Sequence, residues 1–137
     1  MALQKISAQT MKNSECPFCA PEIRERIMAE RGTVFALHDC FPVTAGHLLI
    51  IPQRHTPDWF SLTARERSDA ETLILSLREK LQSEDPTITG FNIGINCGAS
   101  AGQTIFHAHI HLIPRRDGDA GDPRGGVRGV IPERQKY

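Results

Sequence analysis

The feature that most constrains this sequence is a run of alternating histidines and apolar residues, Phe106-His107-Ala108-His109-Ile110-His111-Leu112. Because side chains alternate across a β-strand, the run predicts one face with three imidazoles, roughly 6–7 Å apart in succession, and an apolar face in a core. Protonating all three would place like charges side by side, so at least one is expected to stay neutral near pH 7. A neutral imidazole is a nucleophile, a general base or a metal ligand, and three in alternation favour such chemistry over a solvated sheet face.

A metal-activated water is one alternative at this run, since His-x-His on a strand can present two metal ligands. A catalytic metal usually needs a further ligand and a nearby general base, and no carboxylate lies in or immediately beside the run. The sequence therefore favours direct chemistry by an imidazole.

The other segments predict an α+β domain built on an antiparallel sheet. Thr63 and Glu66 have capping-box spacing and predict the start of one long helix, which ends near Asp85-Pro86. Short β-rich or alternating runs predict strands at residues 33–37, 47–51, 91–96 and 105–113. Residues 22–29 fit either a helical turn or, from Arg26, a strand, and residues 30–32 predict a turn.

Length and charge exclude several classes of protein. The 137 residues suit a single domain, with a polar leader over residues 1–13 and an irregular tail over 115–137. Lysine plus arginine and aspartate plus glutamate number 16 each, so no overall basic field attracts nucleic acid or an anionic membrane. The longest mostly apolar run, residues 47–52, is too short to span a bilayer, and the leader lacks the apolar core of a signal peptide. We therefore expect a cytoplasmic protein without nucleic acid or membrane as a partner.

The four cysteines are too few and too scattered for a domain held together by disulfides. Cys16 and Cys19 form a CxxC pair with the spacing of a zinc knuckle, which favours a zinc site. The alternatives are two free thiols or a redox pair, and the redox pair is disfavoured without a thioredoxin-like βαβ pattern. Nothing in the sequence assigns chemistry to Cys40 or Cys97.

Residues 107–113 match His-φ-His-φ-His-φ-φ, where φ is apolar, and the chain resembles the histidine triad (HIT) family. Residues 96–104, NCGASAGQT, resemble the phosphate-binding loop of that family, and Asp39 with GHLLIIP at 46–52 resembles its nucleoside-side strand and loop. The resemblance covers about residues 16–114. It implies a HIT-like fold with an antiparallel sheet of about five strands and one long helix, pairing into a continuous sheet in a homodimer.

The resemblance also implies a nucleotidyl hydrolase or transferase that acts on the α-phosphate of a nucleotide. His109 matches the nucleophile that forms a covalent nucleotidyl-histidine intermediate, and His111 matches a group that binds the phosphate oxygens. Gln103 matches a catalytic position beside the phosphate or the leaving group, and Asp39 matches the acid that binds the ribose. The remaining nucleotide-binding positions that the resemblance implies are Asn96, Gly102 and Thr104.

Each of these positions also has a structural explanation. An aspartate at a strand end is usually a turn former, Asn96 can simply end its strand, and loop 96–104 can be an ordinary turn. Apolar residues that could line a base pocket serve a core equally well, and they are Phe18, Leu37, Phe41 and Ile51. Of the neighbouring histidines, we expect His38 to be structural and His47 to start its strand with a local hydrogen bond.

A subset of the family completes a zinc site with a histidine after the Ile-Pro strand and with the first histidine of the triad. Those positions are His55 and His107 here, so the resemblance implies a structural Cys₂His₂ zinc site with Cys16 and Cys19. Such a site would fix the N-terminal loop to the sheet and leave His109 free of metal. No organic cofactor is expected.

The expected substrate is a dinucleoside polyphosphate, with adenine as the base. The alternatives are a nucleoside phosphoramidate or another AMP–X compound, or a nucleotide-binding regulatory protein with little turnover. Residues 123–132 resemble the C-terminal segment of bacterial HIT proteins named as diadenosine tetraphosphate hydrolases. One of the tail arginines could reach distal phosphates, unless the tail is solvated or faces a dimer partner; they are Arg115, Arg116, Arg124 and Arg128.

Overall fold

The structure, a computed structural model, describes residues 13–137, and the predicted polar leader therefore lies outside the described residues except for Asn13. One antiparallel sheet contains five strands in the order β1-β2-β3-β5-β4. Their bounds are Ala29–Arg31 (β1), Val34–His38 (β2), Leu48–Pro52 (β3), Ile88–Gly94 (β4) and Ile110–Arg116 (β5). Within residues 13–137 a single α-helix, α1, spans Ala64–Glu84. The predicted fold class, a five-stranded antiparallel sheet with one long helix, is confirmed.

Both faces of the sheet are covered, because its central strands are apolar on both sides. Val34 and Ala36 of β2 contact the core beneath α1, whereas Phe35 and Leu37 pack against the N-terminal segment on the opposite face. Strand β3 is buried at all five positions, as a continuous apolar run in a central strand should be. The segment with Cys16 and Phe18 therefore lies on the same face as the odd-numbered residues of β2.

The start of α1 is the best-predicted boundary. The Thr63 hydroxyl accepts from the Glu66 backbone N–H (3.0 Å), and the Glu66 carboxylate accepts from the Thr63 backbone N–H (2.8 Å). Arg54 donates two further hydrogen bonds to Glu66, at 2.8 and 3.0 Å. The helix ends at Glu84, one residue before the predicted Asp85-Pro86 stop. None of the described helices is long and apolar enough to cross a membrane.

Strand β5 begins later than the sequence predicts. The prediction covered residues 105–113, but the strand spans Ile110–Arg116, so only His111 of the three histidines lies within it. The backbone N–H of Ala108 donates to the carbonyl of Thr56 (2.8 Å), which holds the preceding segment against the loop after β3 instead of beside a strand. The predicted alternation of faces fails there, because consecutive residues are all buried: Phe106, His107 and Ala108.

The other elements differ from prediction mainly at their ends. Strands β2 and β3 each lie one residue later than predicted, and β4 lies earlier, at Ile88–Gly94 instead of 91–96. Residues 29–31 form β1, paired with β2, where residues 30–32 predicted a turn; the reversal itself falls at Gly32, whose φ is +53°. The tail is less irregular than predicted, since β5 extends to Arg116 and two 3₁₀ helices follow, Gly126–Val130 and Pro132–Arg134.

Candidate active site

The backbone around His109 fixes which ring nitrogen is free to react. Nδ1–H of His109 donates to the carbonyl of His107 (2.9 Å), and a carbonyl can only accept. The neutral ring therefore carries its lone pair on Nε2. Burial lowers the pKa of His109, while the His107 carbonyl and the charge of Asp39 act in the opposite direction. His109 thus has a neutral imidazole with a nucleophilic Nε2 near neutral pH.

A chain of hydrogen bonds fixes the tautomers of His47 and His111. The backbone N–H of Val43 donates to Nδ1 of His47 (3.1 Å), so the proton of neutral His47 lies on Nε2. Nε2–H of His47 donates to Nδ1 of His111 (2.9 Å), which leaves Nε2–H of His111 as a donor. Burial, His109 and His47 together lower the pKa of His111 to about 4. The hydrogen-bond partner of His47 across the sheet was not predicted; the Gly-His pair at 46–47 was its only sequence signal.

Asp39 lies beside these two imidazoles, directly after β2. Its Oδ2 is 3.4 Å from Nε2 of His47 and 3.9 Å from Nδ1 of His111. Its Oδ1 accepts from the backbone N–H of Phe41 (2.8 Å), which is the turn-forming bond that the sequence offered as the structural alternative. One carboxylate oxygen is therefore used by the turn, and the other is directed toward the histidine pair.

The four residues named as zinc ligands lie together, and their donor atoms have the spacing of a tetrahedral site. Cys16 Sγ is 3.4 Å from Nδ1 of His107, Cys19 Sγ is 3.3 Å from Nδ1 of His55, and the two Nδ1 atoms are 3.2 Å apart. All four donor atoms lie within 4.8 Å of one another. Two thiolate and two imidazole ligands are a common set for structural zinc.

The tautomer of His107 fits a metal at this cluster. Its Nε2–H donates to the carbonyl of Pro52 (2.7 Å), so the lone pair of the neutral ring is on Nδ1, the atom directed at the cysteines. Burial is the main cause that lowers the pKa of His107, to about 4. Burial and the neighbouring Cys16 raise the pKa of Cys19 to about 11. A cation that replaces the thiol protons would remove this cost, so the donor set fits zinc.

A second group of possible metal ligands, Asp39, His47 and His111, has a different chemistry. Nε2 of His47, the atom that faces the group, carries a proton because Val43 N–H occupies Nδ1. A protonated nitrogen has no lone pair for a metal. We assign this group to hydrogen bonding and not to metal binding.

Gln103 holds loop 96–104 through hydrogen bonds within the chain. Gln103 is buried; its Oε1 accepts from the Gly98 backbone N–H (2.7 Å), and its Nε2 donates to the carbonyls of Pro57 (2.6 Å) and Ile105 (3.1 Å). Both amide N–H groups are used within the chain, so these bonds shape the loop, and the catalytic role that the resemblance implies for Gln103 stays a prediction. Gly98 and Gly102 have φ of +95° and +93°, which only glycine adopts readily. Thr104 is exposed, and Asn96 is half-buried.

The residues named for a base pocket are divided between the core and the surface. Phe18, Leu37 and Ile51 are buried in one apolar cluster with Cys16, so their core role is the one observed. Phe41 is 87% exposed and remains free to contact a ligand.

The side chains of the tail arginines contact other residues of the same chain. Arg115 donates to Asn92 and Asp119, and Arg116 donates to Asp85. Arg128 donates to the carbonyls of Arg134 and Gln135 and lies over the Tyr137 ring, whereas Arg124 lies 4.0 Å from Asp122. These contacts are intramolecular, and whether a tail arginine reaches distal phosphates stays an open alternative.

The chain is similar to several known proteins. The HIT domain family model matches residues 20–118. The asymmetrical bis(5′-nucleosyl)-tetraphosphatase of Schizosaccharomyces pombe is 38% identical over 78 residues, which are 57% of this chain and 42% of that protein. Adenylylsulfatase HINT3 of Arabidopsis thaliana is 34% identical over 125 residues, 84% of this chain and 59% of that protein. A crystal structure of a zinc-bound histidine triad family protein from Mycobacterium smegmatis matches with a TM-score of 0.71 at 30% identity, over 81% of this chain and 82% of that one.

The matched segment runs through all five strands and α1, and it contains the three alternating histidines. Cys16 and Cys19 lie just N-terminal to it. Fold, histidine pattern and sequence similarity agree over most of the chain. The chain therefore belongs to the HIT domain family.

Proposed function

We propose that this protein is a nucleotidyl hydrolase, or transferase, that attacks the α-phosphorus of a nucleotide with Nε2 of His109. The observation that carries the proposal is the hydrogen bond from Nδ1–H of His109 to the carbonyl of His107 (2.9 Å), which leaves Nε2 unprotonated. The same carbonyl stabilises the positive charge that develops on the ring when Nε2 forms a bond to phosphorus. His111, with its Nε2–H, supplies a donor for the phosphate oxygens.

The reaction takes two balanced steps. In the first, Nε2 of His109 forms a bond to the α-phosphorus while the bond from phosphorus to the leaving group breaks, and the leaving group takes the electron pair and a proton from water. In the second, a water oxygen bonds to phosphorus and the P–N bond breaks. The electron pair returns to Nε2, and the water proton goes to solvent, so nucleoside monophosphate and free enzyme are the products.

Trapping the intermediate tests this mechanism. The enzyme is mixed with an α-³²P-labelled diadenosine polyphosphate or adenosine phosphoramidate and quenched within milliseconds in alkaline detergent, because a phosphorus–imidazole bond is labile to acid. We expect label on the wild-type protein and none on His109→Ala, whose turnover falls at least about 10⁴-fold while AMP binding is retained. His38→Ala, an exposed histidine outside the site, is the matched control. Unchanged turnover in His109→Ala would disprove the proposal.

Two substrate classes have support. The relatives include an asymmetrical bis(5′-nucleosyl)-tetraphosphatase and an adenylylsulfatase, so a dinucleoside polyphosphate and a shorter AMP–X compound are both consistent with the family. In either case a ribose over the end of β2 could donate its hydroxyls to Oδ2 of Asp39, the carboxylate oxygen that the turn does not use. We also propose that the base is adenine. The residues proposed to contact the nucleotide are Asp39, Asn96, Gly102 and Thr104.

We also propose that Cys16, Cys19, His55 and His107 bind structural zinc, which joins the N-terminal segment to the sheet and leaves His109 free. A Cys pair that binds metal instead of forming a disulfide is typical of cytoplasmic proteins, which is the location we propose. Elemental analysis is expected to find about one zinc per wild-type chain, and Cys16→Ser should lose it and melt several degrees lower. Cys40→Ser, at an exposed cysteine, is the control and should match wild type. Equal zinc in Cys16→Ser and wild type would refute the site.

A further inference from the structure

A hollow of about 530 Å³ lies beside the proposed zinc site, next to the 3₁₀ helix Pro21–Arg26 and the residues that follow β3. This volume is typical of a small-molecule site. Cys19 and His55 line the hollow, whereas His109 and His111 do not. The hollow is therefore distinct from the nucleotide position, and the chemistry proposed for His109 leaves it without a role.

The four proposed zinc ligands differ in their access to this hollow. Cys16 and His107 are 1% and 0% exposed, and neither lines it. Cys19 and His55 are half-buried, with Cys19 Sγ 3.3 Å from Nδ1 of His55. The ring of His107 is also fixed by its hydrogen bond to the Pro52 carbonyl (2.7 Å). The hydrogen bonds of His55 within residues 13–137 all use Nδ1, the proposed donor atom. Two ligands are thus held in the core, and the other two form part of the wall of the hollow.

Two opposite charges and an apolar surface line the rest of the hollow. Arg24 and Glu30 are exposed, and neither forms an ion pair within residues 13–137. The apolar lining includes Ile23, Ile27 and Phe35. A carboxylate is therefore attracted by Arg24 and an ammonium group by Glu30, while the adjacent metal position favours a soft donor such as sulfur. An amino-acid thiol such as free cysteine carries all three groups in one small molecule.

We propose that this hollow binds a zwitterionic low-molecular-weight thiol, which removes zinc from the site through Cys19 and His55 without unfolding of the domain. This route rests on the proposed zinc site. In the first step the thiol releases its proton to solvent and its sulfur bonds to the metal. The bond from the metal to Nδ1 of His55 breaks, and the electron pair stays on Nδ1. His55 leaves first because it is a neutral ligand at the wall of the hollow. Each cysteine thiolate that leaves later takes up the proton of a further thiol.

The rate of zinc release from the zinc-loaded full chain into excess free cysteine tests this route, with a metal-indicator dye as the readout. A thiol that enters the hollow predicts a rate proportional to the cysteine concentration, whereas release that waits for unfolding is independent of it. Gln53→Trp places a large ring in the hollow and should lower the rate about tenfold, because access limits the attack. Glu22→Trp is the matched control, since Glu22 is exposed on the same 3₁₀ helix but does not line the hollow.

Three thiols test the two charges, and each variant is compared with wild type for the same thiol. Cysteamine lacks the carboxylate of cysteine, and 3-mercaptopropionate lacks its ammonium group. Arg24→Gln should slow release by cysteine and 3-mercaptopropionate several-fold and leave cysteamine unchanged, whereas Glu30→Gln should slow cysteine and cysteamine. Arg31→Gln removes the same charge as Arg24→Gln at an exposed position outside the hollow, so it should match wild type with all three thiols.

The outcomes separate the exchange route from the zinc site itself. A protein that holds no zinc and takes up none disproves the zinc site, and the route with it. Bound zinc that leaves at a rate independent of cysteine concentration, or equally fast from Gln53→Trp and wild type, overturns the route alone. Equal effects of Arg24→Gln on the three thiols overturn the zwitterionic ligand. If Gln53→Trp melts at a lower temperature than wild type, the comparison of Arg24→Gln with Arg31→Gln decides, because both change only an exposed side chain.

Discussion

The three alternating histidines differ in which ring nitrogen is available, because different groups bind the other ring nitrogen of each. Carbonyl oxygens accept from His107 and His109 but use opposite nitrogens, so His107 presents Nδ1 to the cysteines and His109 is left with Nε2. His111 accepts from another imidazole and is left as a donor. These hydrogen bonds are the basis of the roles proposed above, a metal ligand for His107, a nucleophile for His109 and a phosphate donor for His111.

The lowered histidine pKa values predict that stability decreases in mild acid. His111 faces His47, His109 and Asp39, and burial with the two imidazoles lowers its pKa to about 4 despite the Asp39 charge. Burial also lowers the pKa of His47. Because an unfolded histidine binds a proton near pH 6.5, the unfolded chain binds more protons than the folded chain between about pH 6.5 and 4. The contribution of these histidines to the free energy of unfolding should therefore be fully present above this window and be lost as the pH decreases through it.

Urea unfolding of wild type and His111→Asn between pH 7 and 4.5 measures this contribution. The slope for one such group is at most about 1.4 kcal/mol per pH unit, and smaller here because His111 retains contact with solvent. His111→Asn should flatten the pH dependence, whereas His38→Asn, at an exposed position, should follow wild type. Identical slopes for wild type and His111→Asn would contradict the prediction.

At the residue scale, the sequence predicts which residues lie together better than it predicts their individual hydrogen bonds and packing contacts. The four residues that the resemblance implied as zinc ligands lie together, although local spacing alone indicated only the Cys16–Cys19 pair. Gln103 and Leu37 were harder to place, since a motif position does not reveal whether an amide is used by its own loop or an aliphatic chain by the core. The His47–His111 bond depends on strand register, which no local pattern in this sequence shows.

Among the elements, α1 was predicted well because its capping box is a local signal, whereas β5 was predicted too early because tertiary hydrogen bonds compete with the strand pattern. Ala108 N–H bonds to Thr56 and not to a strand partner, although the local sequence alternates as a strand does. The predicted bounds of the edge strand β4 lay too late in the chain for a related reason, because its alternation does not specify where pairing with β5 begins.

The buried carboxylate of Glu66 joins α1 to the segment that carries His55. It caps the helix at Thr63 and accepts two hydrogen bonds from Arg54; Arg54 is the first cause that lowers the pKa of Glu66. Glu66→Gln keeps the shape but removes the charge, so we expect the free energy of unfolding to fall by about 1–3 kcal/mol in urea at pH 7. Glu79→Gln, on the exposed side of the same helix, should change it by less than about 0.5 kcal/mol. Equal changes in the two variants would show that the Arg54–Glu66 ion pair contributes nothing to the free energy of unfolding.

For the whole molecule, the described residues leave two edges of the sheet without a strand partner, one at β1 and one at β4. Strand β4 is the last in the order, and within residues 13–137 no strand pairs with its outer side. Beside it, α1 and β4 line an apolar hollow of about 800 Å³ that includes Leu75 and Ile93, which are 57% and 52% exposed. An edge strand next to exposed aliphatic side chains favours addition of another strand. We therefore propose that two copies pair through β4 into one continuous sheet, with the helices packed across the two-fold axis.

Sedimentation of wild type and Ile93→Arg at micromolar concentration tests this pairing. Wild type should sediment at twice the chain mass, and Ile93→Arg should sediment as a monomer, because a two-fold interface brings the two introduced charges close together in an apolar contact. Phe60→Arg removes an aromatic side chain that is 82% exposed and does not line this hollow, so it should remain dimeric. A monomeric wild type, or a dimer that Ile93→Arg leaves intact, would exclude β4 as the interface. A monomeric Ile93→Arg that still hydrolyses adenosine phosphoramidate would show that the proposed nucleophile acts within one chain.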